Sequence, residues 1–271
     1  MKSAPFEYRQ PSSAAQAVAM LGESDMAKAC GGSQSLGPML NLRLAQVESM
    51  IDLSRIEALR AFSDGKNTLR IGAAVTHARI EDGELPDRTL GLLPAVAAGI
   101  AYRAVRNRGT IGGSLAHADP AADWVNTMCL LDAAIFVVGP SGERNLPARD
   151  FFVGPFTTAL APDEVIVAVE VPCFSGGARW AYRKICRKPG EFADAIAAAW
   201  VDPERGITRA LIGALGGMPH VIDGAEAVGD LRRPGGLARA VETAGITDDY
   251  EREVHAAMLR RALDDLDRFA T

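Results

Sequence analysis

Residues 106–123 read RNRGTIGGSLAHADPAAD and contain the most specific pattern in the chain. Glycine occupies positions 109, 112 and 113, and Thr110 and Ser114 add hydroxyl groups. A glycine lets backbone approach a ligand closely because it has no Cβ atom, and a hydroxyl can donate a hydrogen bond to ligand oxygens. The pattern therefore favours an anion-binding loop in front of a helix, whose N-terminus attracts negative charge.

A second glycine-rich segment, Gly31–Ser35, reads GGSQS and follows a predicted strand over Ala27–Cys30. Several backbone N–H groups that point into one small concavity would suit a pyrophosphate. However, neither segment matches the G-x-G-x-x-G fingerprint or the G-x-x-x-x-G-K-[ST] phosphate loop. A tight turn between two elements is the ordinary role of a lone Gly-Gly-Ser. From the residues alone, nucleotide binding and a structural turn both remain open.

Composition narrows the class of protein. A chain of 271 residues with 48% hydrophobic and 23% charged residues is typical of a globular protein with two or three compact units. The net charge is −5 and the longest basic cluster is 103–108, which argues against nucleic-acid binding. No apolar run approaches the roughly 20 residues of a membrane-spanning helix, and the N-terminus does not resemble a secretory signal. We therefore expect a cytoplasmic protein without a membrane span.

The four cysteines, Cys30, Cys129, Cys173 and Cys186, form no C-x-x-C pair. This spacing argues against a zinc or iron–sulfur site in the chain, and each thiol is expected to pack in the interior. An iron–sulfur centre that exchanged electrons with this protein would have to belong to another chain.

Periodicity and turn residues predict an order of elements. A helix capped by Ser12 or Ser13 precedes the strand 27–30, a helix over 36–44 and a strand over 49–53. In the second unit we predict a strand over 68–75, helices over 90–105 and from Asp119 or Pro120 to Leu131, and a hairpin turn at 140–143. After a linker at 172–177, we predict strands over 178–185, 193–202 and 207–216 and helices over 235–244 and 248–269.

Two long motifs resemble a known family. Residues 31–45, GGSQSLGPMLNLRLA, are similar to the first FAD-binding motif of the medium subunits of the xanthine dehydrogenase and carbon monoxide dehydrogenase family, and 106–123 are similar to the second. The likeness extends to Tyr182–Lys184, Arg187 and 190–193. It implies an α+β protein, with a two-subdomain PCMH-type FAD-binding fold followed by a C-terminal domain of a three-stranded antiparallel sheet and helices. The expected limits are 1–56 and 57–173 for the subdomains and 178–271 for the C-terminal domain.

The resemblance also implies a site. Asp123 would accept hydrogen bonds from cofactor hydroxyls, and Lys184, with Arg183 as its rival, would approach the flavin. Cys30, Ser33 and Ser114 depart from the usual family residues, so the register of the first loop is open by about one position. His77 and His117 are expected to pack beside the second loop, and Asp119 to cap a helix. The residues expected to enclose the FAD pyrophosphate are Ala29, Cys30, Gly31, Gly32, Ser33, Gln34, Ser35 and Leu36 on one side, and Thr110, Ile111, Gly112, Gly113 and Ser114 on the other.

The function implied by the resemblance is electron transfer. The chain would bind FAD, take electrons from a [2Fe–2S] partner and pass them to NAD, a quinone or oxygen, with no catalytic or metal-ligating residue of its own. Its partners would be a large subunit with the molybdenum cofactor and a small iron–sulfur subunit, in a dimer of heterotrimers. Two alternatives are a stand-alone FAD-dependent oxidase or reductase and a flavin-free assembly subunit.

Overall fold

The chain opens with a small parallel sheet. The computed structural model describes residues 2–268. The strands β1, β2 and β3 pair in the order β1-β3-β2, and the three residues of β1 were not predicted because they are polar and largely exposed. Ser13 caps α1 as predicted, since its hydroxyl accepts a hydrogen bond from the Gln16 N–H at 3.2 Å. The elements are β1 (Glu7–Arg9), α1 (Ala14–Leu21), β2 (Ala27–Cys30), α2 (Leu36–Asn41) and β3 (Ser49–Asp52).

A five-stranded antiparallel sheet follows, with the order β4-β5-β10-β6-β7. The hairpin predicted at 140–143 joins β6 to β7. Between β5 and β6 the chain leaves the sheet and forms five helices that carry the second glycine segment. The elements are α3 (Glu57–Arg60), β4 (Phe62–Asp64), β5 (Thr68–Gly72), α4 (His77–Glu81), α5 (Leu92–Ala98), α6 (Arg103–Arg106), α7 (Ile111–His117), α8 (Asp123–Leu131), β6 (Ala134–Gly139), β7 (Gly142–Pro147), α9 (Ala148–Phe151), β8 (Phe152–Gly154), β9 (Thr157–Thr158) and β10 (Val165–Pro172).

Two predicted helices have different limits in the structure. The helix predicted over 90–105 is interrupted between α5 and α6, where Ala101 has a φ of 45° and the Arg106 guanidinium donates to the carbonyls of Ile100 and Ala101, each at 2.9 Å. The prediction that Asp119 caps the next helix is also wrong. Its carboxylate accepts from the Ala121 N–H at 2.9 Å in a turn, and α8 begins only at Asp123. In both places a local side-chain bond to the backbone competes with the helix.

The C-terminal part contains a four-stranded antiparallel sheet in the order β11-β12-β13-β14. The antiparallel sheet with helices is confirmed, but the expected number of three strands is wrong, because the four-residue strand β14 follows a Gly-Gly-Met-Pro turn and was missed. The last predicted helix extended to Phe269, which lies outside the described residues. The elements are β11 (Arg179–Ile185), β12 (Ala195–Asp202), β13 (Ile207–Gly213), β14 (His220–Asp223), α10 (Ala225–Asp230), α11 (Gly236–Thr243) and α12 (Asp249–Arg268), with a short 3-10 turn over Pro203–Arg205.

Strand β12 is buried on both faces. Ala195, Ala197 and Ala199 pack in one apolar cluster with α12, whereas Ile196 and Trp200 join the large core that surrounds α8. Alternate residues of a strand point to opposite faces, so the C-terminal sheet is the middle layer between α12 and α8. The domain limits expected from the sequence stay a proposal. The sheets follow those limits, but the apolar core crosses the limit near residue 175.

Candidate functional site

The two glycine segments, far apart in the sequence, touch in the structure. The chain leaves β2 at Cys30 and passes through Gly31 and Gly32 directly against residues 108–110. A Cβ atom on Gly32 would lie 1.8 Å from the carbonyl oxygen of Arg108, and one on Gly31 would lie 2.5 Å from the Thr110 hydroxyl. Such distances are far below van der Waals contact, so both positions require glycine. The structure therefore brings the two predicted loops together.

The first segment has unused hydrogen-bond donors. Within residues 2–268, the backbone N–H groups of Gly31, Gly32, Gln34 and Ser35 donate to no other group. Ser33 has a φ of 58°, in the left-handed region, and this residue turns the loop. A backbone N–H is an obligatory donor, and several adjacent unfilled ones form the concavity that binds anions. This segment has the backbone chemistry that the sequence predicts for a pyrophosphate site.

The remaining predicted residues of the first segment lie around this loop. Cys30 is buried, and burial raises the pKa of its thiol, against the lowering influence of Ser33 and the charge of Arg108. Ala29 is exposed on β2, and Leu36 is half-buried at the start of α2. A buried neutral thiol at the end of a strand is a packing group. Contact of these three residues with a ligand stays a prediction.

The second segment differs from its prediction. Residues 111–114 form the first turn of α7, and their N–H groups already have protein acceptors. Ile111 donates to the Val75 carbonyl at 3.0 Å, Gly112 to Ala73 at 2.9 Å and Gly113 to the Thr110 hydroxyl at 3.1 Å. The Ser114 N–H donates to the Thr110 carbonyl at 3.0 Å. The segment therefore offers a close-fitting wall and the half-buried Ser114 hydroxyl, while the free backbone donors belong to the first segment.

His77 supports the turn before α7. Its backbone N–H donates to the Gly109 carbonyl at 2.9 Å, and its ring accepts a hydrogen bond from the Trp124 indole at 3.0 Å. Burial, together with the positive charge of Arg106, lowers the pKa of His77 to about 4. His77 is thus a neutral packing group, as expected. Its indole partner was missed, although Trp124 directly follows Asp123 in the sequence. His117 packs edge-on against Phe156, with 5.3 Å between the ring centroids.

Asp123 and Lys184 form a buried ion pair. The Lys184 ammonium donates to the two carboxylate oxygens of Asp123 at 2.9 and 3.1 Å and to the Gly99 carbonyl at 2.9 Å. The Tyr182 hydroxyl donates to the same carboxylate at 2.8 Å. Burial raises the pKa of Asp123, whereas the Lys184 charge and the Tyr182 hydrogen bond lower it. We call Asp123, Tyr182 and Lys184 the carboxylate cluster.

The structure separates the two rival cations. Alternation along β11 places Tyr182 and Lys184 on the face towards α8, and Arg183 on the opposite face. Arg183 forms an ion pair with Asp265 of α12. Lys184 is therefore the cation that pairs with Asp123 at the start of α8. Tyr182 could have been recognised from the sequence, because it lies two positions before Lys184 on a predicted strand.

Residues 190–193, to which the family likeness extends, contact the same region through Gly190. Gly190 has a φ of 88°, and a Cβ atom there would lie 2.7 Å from the Ala101 carbonyl oxygen. Ala101 belongs to the turn whose Gly99 carbonyl accepts from Lys184. The loop that follows β11 thus packs against the same turn that accepts a hydrogen bond from Lys184.

Comparisons with known proteins agree with this geometry. Residues 4–174 match the family described as the FAD binding domain in molybdopterin dehydrogenase. The chain belongs to this family. It is 42% identical over 192 residues to the carbon monoxide dehydrogenase medium chain of Hydrogenophaga pseudoflava, covering 70% of this chain and 67% of that one. The chain is an FAD-binding medium subunit of the molybdenum hydroxylase type, part of an oxidoreductase.

Two solved structures extend the likeness over the whole chain. The first, carbon monoxide dehydrogenase from Hydrogenophaga pseudoflava, superposes with a TM-score of 0.86 at 34% identity and covers 98% of each chain. The second, quinoline 2-oxidoreductase from Pseudomonas putida 86, superposes with a TM-score of 0.88 at 31% identity, covering 100% of this chain and 99% of that one. They confirm the expected fold.

The residues of this FAD-binding subunit fit the cofactor. Free N–H groups in the first segment suit its diphosphate, and the Asp123 carboxylate can accept from its hydroxyls.

Within the described chain, no group of three or more His, Cys, Asp or Glu side chains could hold a metal ion. Among residues 2–268, none of the helices has the length and apolarity needed to cross a membrane.

Gly32→Ala tests the contact between the two segments. The added methyl group would push the first segment away from the Arg108 carbonyl, so we expect FAD affinity to fall by about tenfold or more. Quenching of flavin fluorescence by the apoprotein measures the affinity. Gly22→Ala is the matched control, because its Cβ atom would meet nothing closer than 3.6 Å. Equal affinity for both variants would contradict the steric argument.

Breaking the carboxylate cluster should destabilise the protein. Asp123→Asn or Lys184→Met removes one partner of a buried ion pair and leaves the other uncompensated, which typically costs about 3–5 kcal/mol. Removing both charges together should cost less than the sum of the single changes. Urea unfolding measures these differences. Arg183→Met, which removes the more exposed pair with Asp265, should cost at most about 1 kcal/mol. Additive single costs would show that the two side chains are not coupled.

His77 should make the stability depend on pH. The unfolded chain takes up a proton on this side chain near pH 6.5, and the folded chain only near pH 4. Between these values the unfolded state binds more protons, so stability falls as the pH is lowered, by about 3 kcal/mol in total. In His77→Gln this contribution should be missing, while all other titrating groups stay the same. Parallel stability curves of the two proteins between pH 6.5 and 4 would refute the assignment.

Proposed function

We propose that this chain receives electrons from a [2Fe–2S] partner subunit and passes them from its FAD to an external acceptor, namely NAD, a quinone or oxygen. The observation that carries the proposal is the meeting of two motif segments beside the carboxylate cluster. One segment has free backbone donors, and the cluster supplies a fixed carboxylate. FAD can accept electrons one at a time and release them in pairs, and the protein supplies binding and orientation.

The protein residues have separate tasks in this proposal. The N–H groups of Gly31–Ser35 hold the diphosphate, and Thr110 and Gly112 keep the second segment packed against them. Lys184 and Tyr182 both donate to the Asp123 carboxylate and hold it in place, and this carboxylate can accept a further hydrogen bond from a cofactor hydroxyl. The charge of Lys184 is neutralised by this carboxylate. An approach of Lys184 to the flavin, as expected from the sequence, would therefore require the exchange of one of its three hydrogen bonds.

The partners are inferred from the relatives. A medium chain implies other chains, and one related structure is of an enzyme with a molybdenum cofactor, in a form that lacks the Mo-pyranopterin moiety of that cofactor. We infer a large subunit with that cofactor and a small iron–sulfur subunit, arranged as a dimer of heterotrimers in the cytoplasm. The two related structures differ in substrate, carbon monoxide for one and quinoline for the other. Since chains similar to this one occur in both structures, we assign the choice of organic substrate to the large subunit.

Two alternatives make different predictions. A stand-alone FAD oxidase or reductase would need a placed acid or base above the flavin. A flavin-free assembly subunit would not need unused backbone donors in Gly31–Ser35, and their presence favours a bound anion. The experiment below separates both alternatives from the electron-transfer role.

The isolated chain, loaded with an equimolar amount of FAD, should keep its flavin absorbance when it is mixed anaerobically with oxidisable substrates. The same chain co-purified with its partner subunits should be bleached by the substrate of the complex, because only the complex connects the flavin to the site of oxidation. Metal and flavin analysis of the complex should find molybdenum, iron and one FAD per chain. Bleaching of the isolated chain would favour the stand-alone enzyme. Failure to take up FAD, alone or in the complex, would favour the flavin-free subunit.

A further inference from the structure

Arg108 lies at the contact between the two glycine segments without a partner for its charge. The neighbouring arginines are both neutralised: Arg103 pairs with Glu81 and Asp82, and Arg106 pairs with Glu81. The guanidinium of Arg108, by contrast, takes part in no hydrogen bond or ion pair within the part of the chain that the structure describes. It is also exposed, so its charge is available to a ligand.

The backbone of Arg108 is held in place. Its N–H donates to the Val105 carbonyl at 3.0 Å, and the next N–H, of Gly109, donates to the same carbonyl at 2.7 Å. Its own carbonyl oxygen occupies the space that a Cβ atom on Gly32 would need. The root of this side chain is therefore in contact with the loop that has the unfilled N–H groups.

The charge of Arg108 acts on the residue at the start of that loop. Burial raises the pKa of the Cys30 thiol, and the positive charge of Arg108 acts in the opposite direction. Cys30 directly precedes Gly31. Fixed backbone donors and an unpaired arginine thus occur within one short stretch of surface, on the side where β2 ends.

This combination is selective for one chemical group. A guanidinium binds phosphate oxygens through two parallel hydrogen bonds, and backbone N–H groups fill the remaining oxygens. A neutral isoalloxazine or adenine ring would need neither. An exposed arginine ordinarily carries a solvated surface charge and needs no particular neighbour. Arg108 differs because its backbone lies against a loop whose N–H groups have no acceptor in the described chain.

We propose that Arg108 is a cofactor-binding residue that pairs with the diphosphate of FAD. The proposal rests on the FAD binding of the proposed function and extends it by one residue. The first segment supplies neutral donors, and Arg108 supplies the compensating charge. The charge of Lys184 is neutralised by Asp123, so Lys184 does not supply the charge that compensates the diphosphate.

The test compares Arg108→Met and Arg108→Lys with Arg261→Met. Arg261 is an exposed arginine of α12 that has no ion pair in the described chain, so its replacement changes the net charge by the same amount. FAD and ADP are titrated against each apoprotein at several salt concentrations. We expect Arg108→Met to weaken both ligands by about tenfold or more and to flatten the salt dependence, with Arg108→Lys intermediate and Arg261→Met unchanged.

Each other outcome has a distinct meaning. Unchanged FAD and ADP affinities in Arg108→Met, with an unchanged salt dependence, would overturn the proposal. So would a loss confined to FAD, because Arg108 would then act on the flavin rather than on the phosphates. Failure of the wild-type chain to bind FAD would instead refute the proposed function. Thermal unfolding of each apoprotein checks that a loss of affinity is not a loss of folded protein.

Discussion

The close approach of Gly32 to the Arg108 carbonyl is the constraint on which the site depends. No side chain on Gly31 or Gly32 fits between the two segments, so their distance is set by contact of the glycine backbone with the Arg108 carbonyl and the Thr110 hydroxyl. In the described chain the N–H groups of Gly31, Gly32, Gln34 and Ser35 have no acceptor, whereas the second segment has satisfied its own donors with Ala73, Val75 and Thr110. The second segment thus forms a wall, and the first segment provides the free N–H donors.

The carboxylate cluster fixes the other side of the site by a different kind of force. Backbone contact is short-ranged and steric, whereas the pair of Asp123 and Lys184 is strong because little water surrounds it. The ion pair joins α8 to β11, and Gly190 presses against the adjacent turn. Trp200 and Ile196 also pack in the core around α8, and this packing holds the C-terminal sheet against the helices.

Features that depend on local sequence could be predicted well. The cap at Ser13, the hairpin at 140–143 and the strands β11, β12 and β13 follow from capping, turn and alternation rules. Features that depend on which side chain bonds to the backbone, or on contact between distant segments, could not. The break at Ala101 depends on a hydrogen bond from the Arg106 guanidinium, and the late start of α8 depends on a hydrogen bond to the Asp119 carboxylate. The N–H groups at the start of α7 donate to Ala73 and Val75, just after β5. Arg183 and Lys184 are adjacent in the sequence, so either could approach the flavin by pattern alone. Only the pairing of β11 shows that they lie on opposite faces of the sheet.

The double burial of β12 bears on how such proteins can be divided and recombined. The conserved family domain ends at residue 174, yet the core around α8 is completed by Ile196, Ala198, Trp200 and Leu211 from beyond that point. A fragment cut at the family boundary would expose the apolar surface that these four side chains cover. The matched family domain is therefore smaller than the unit that shares this core, and chimeric subunits need to exchange the C-terminal sheet together with α8.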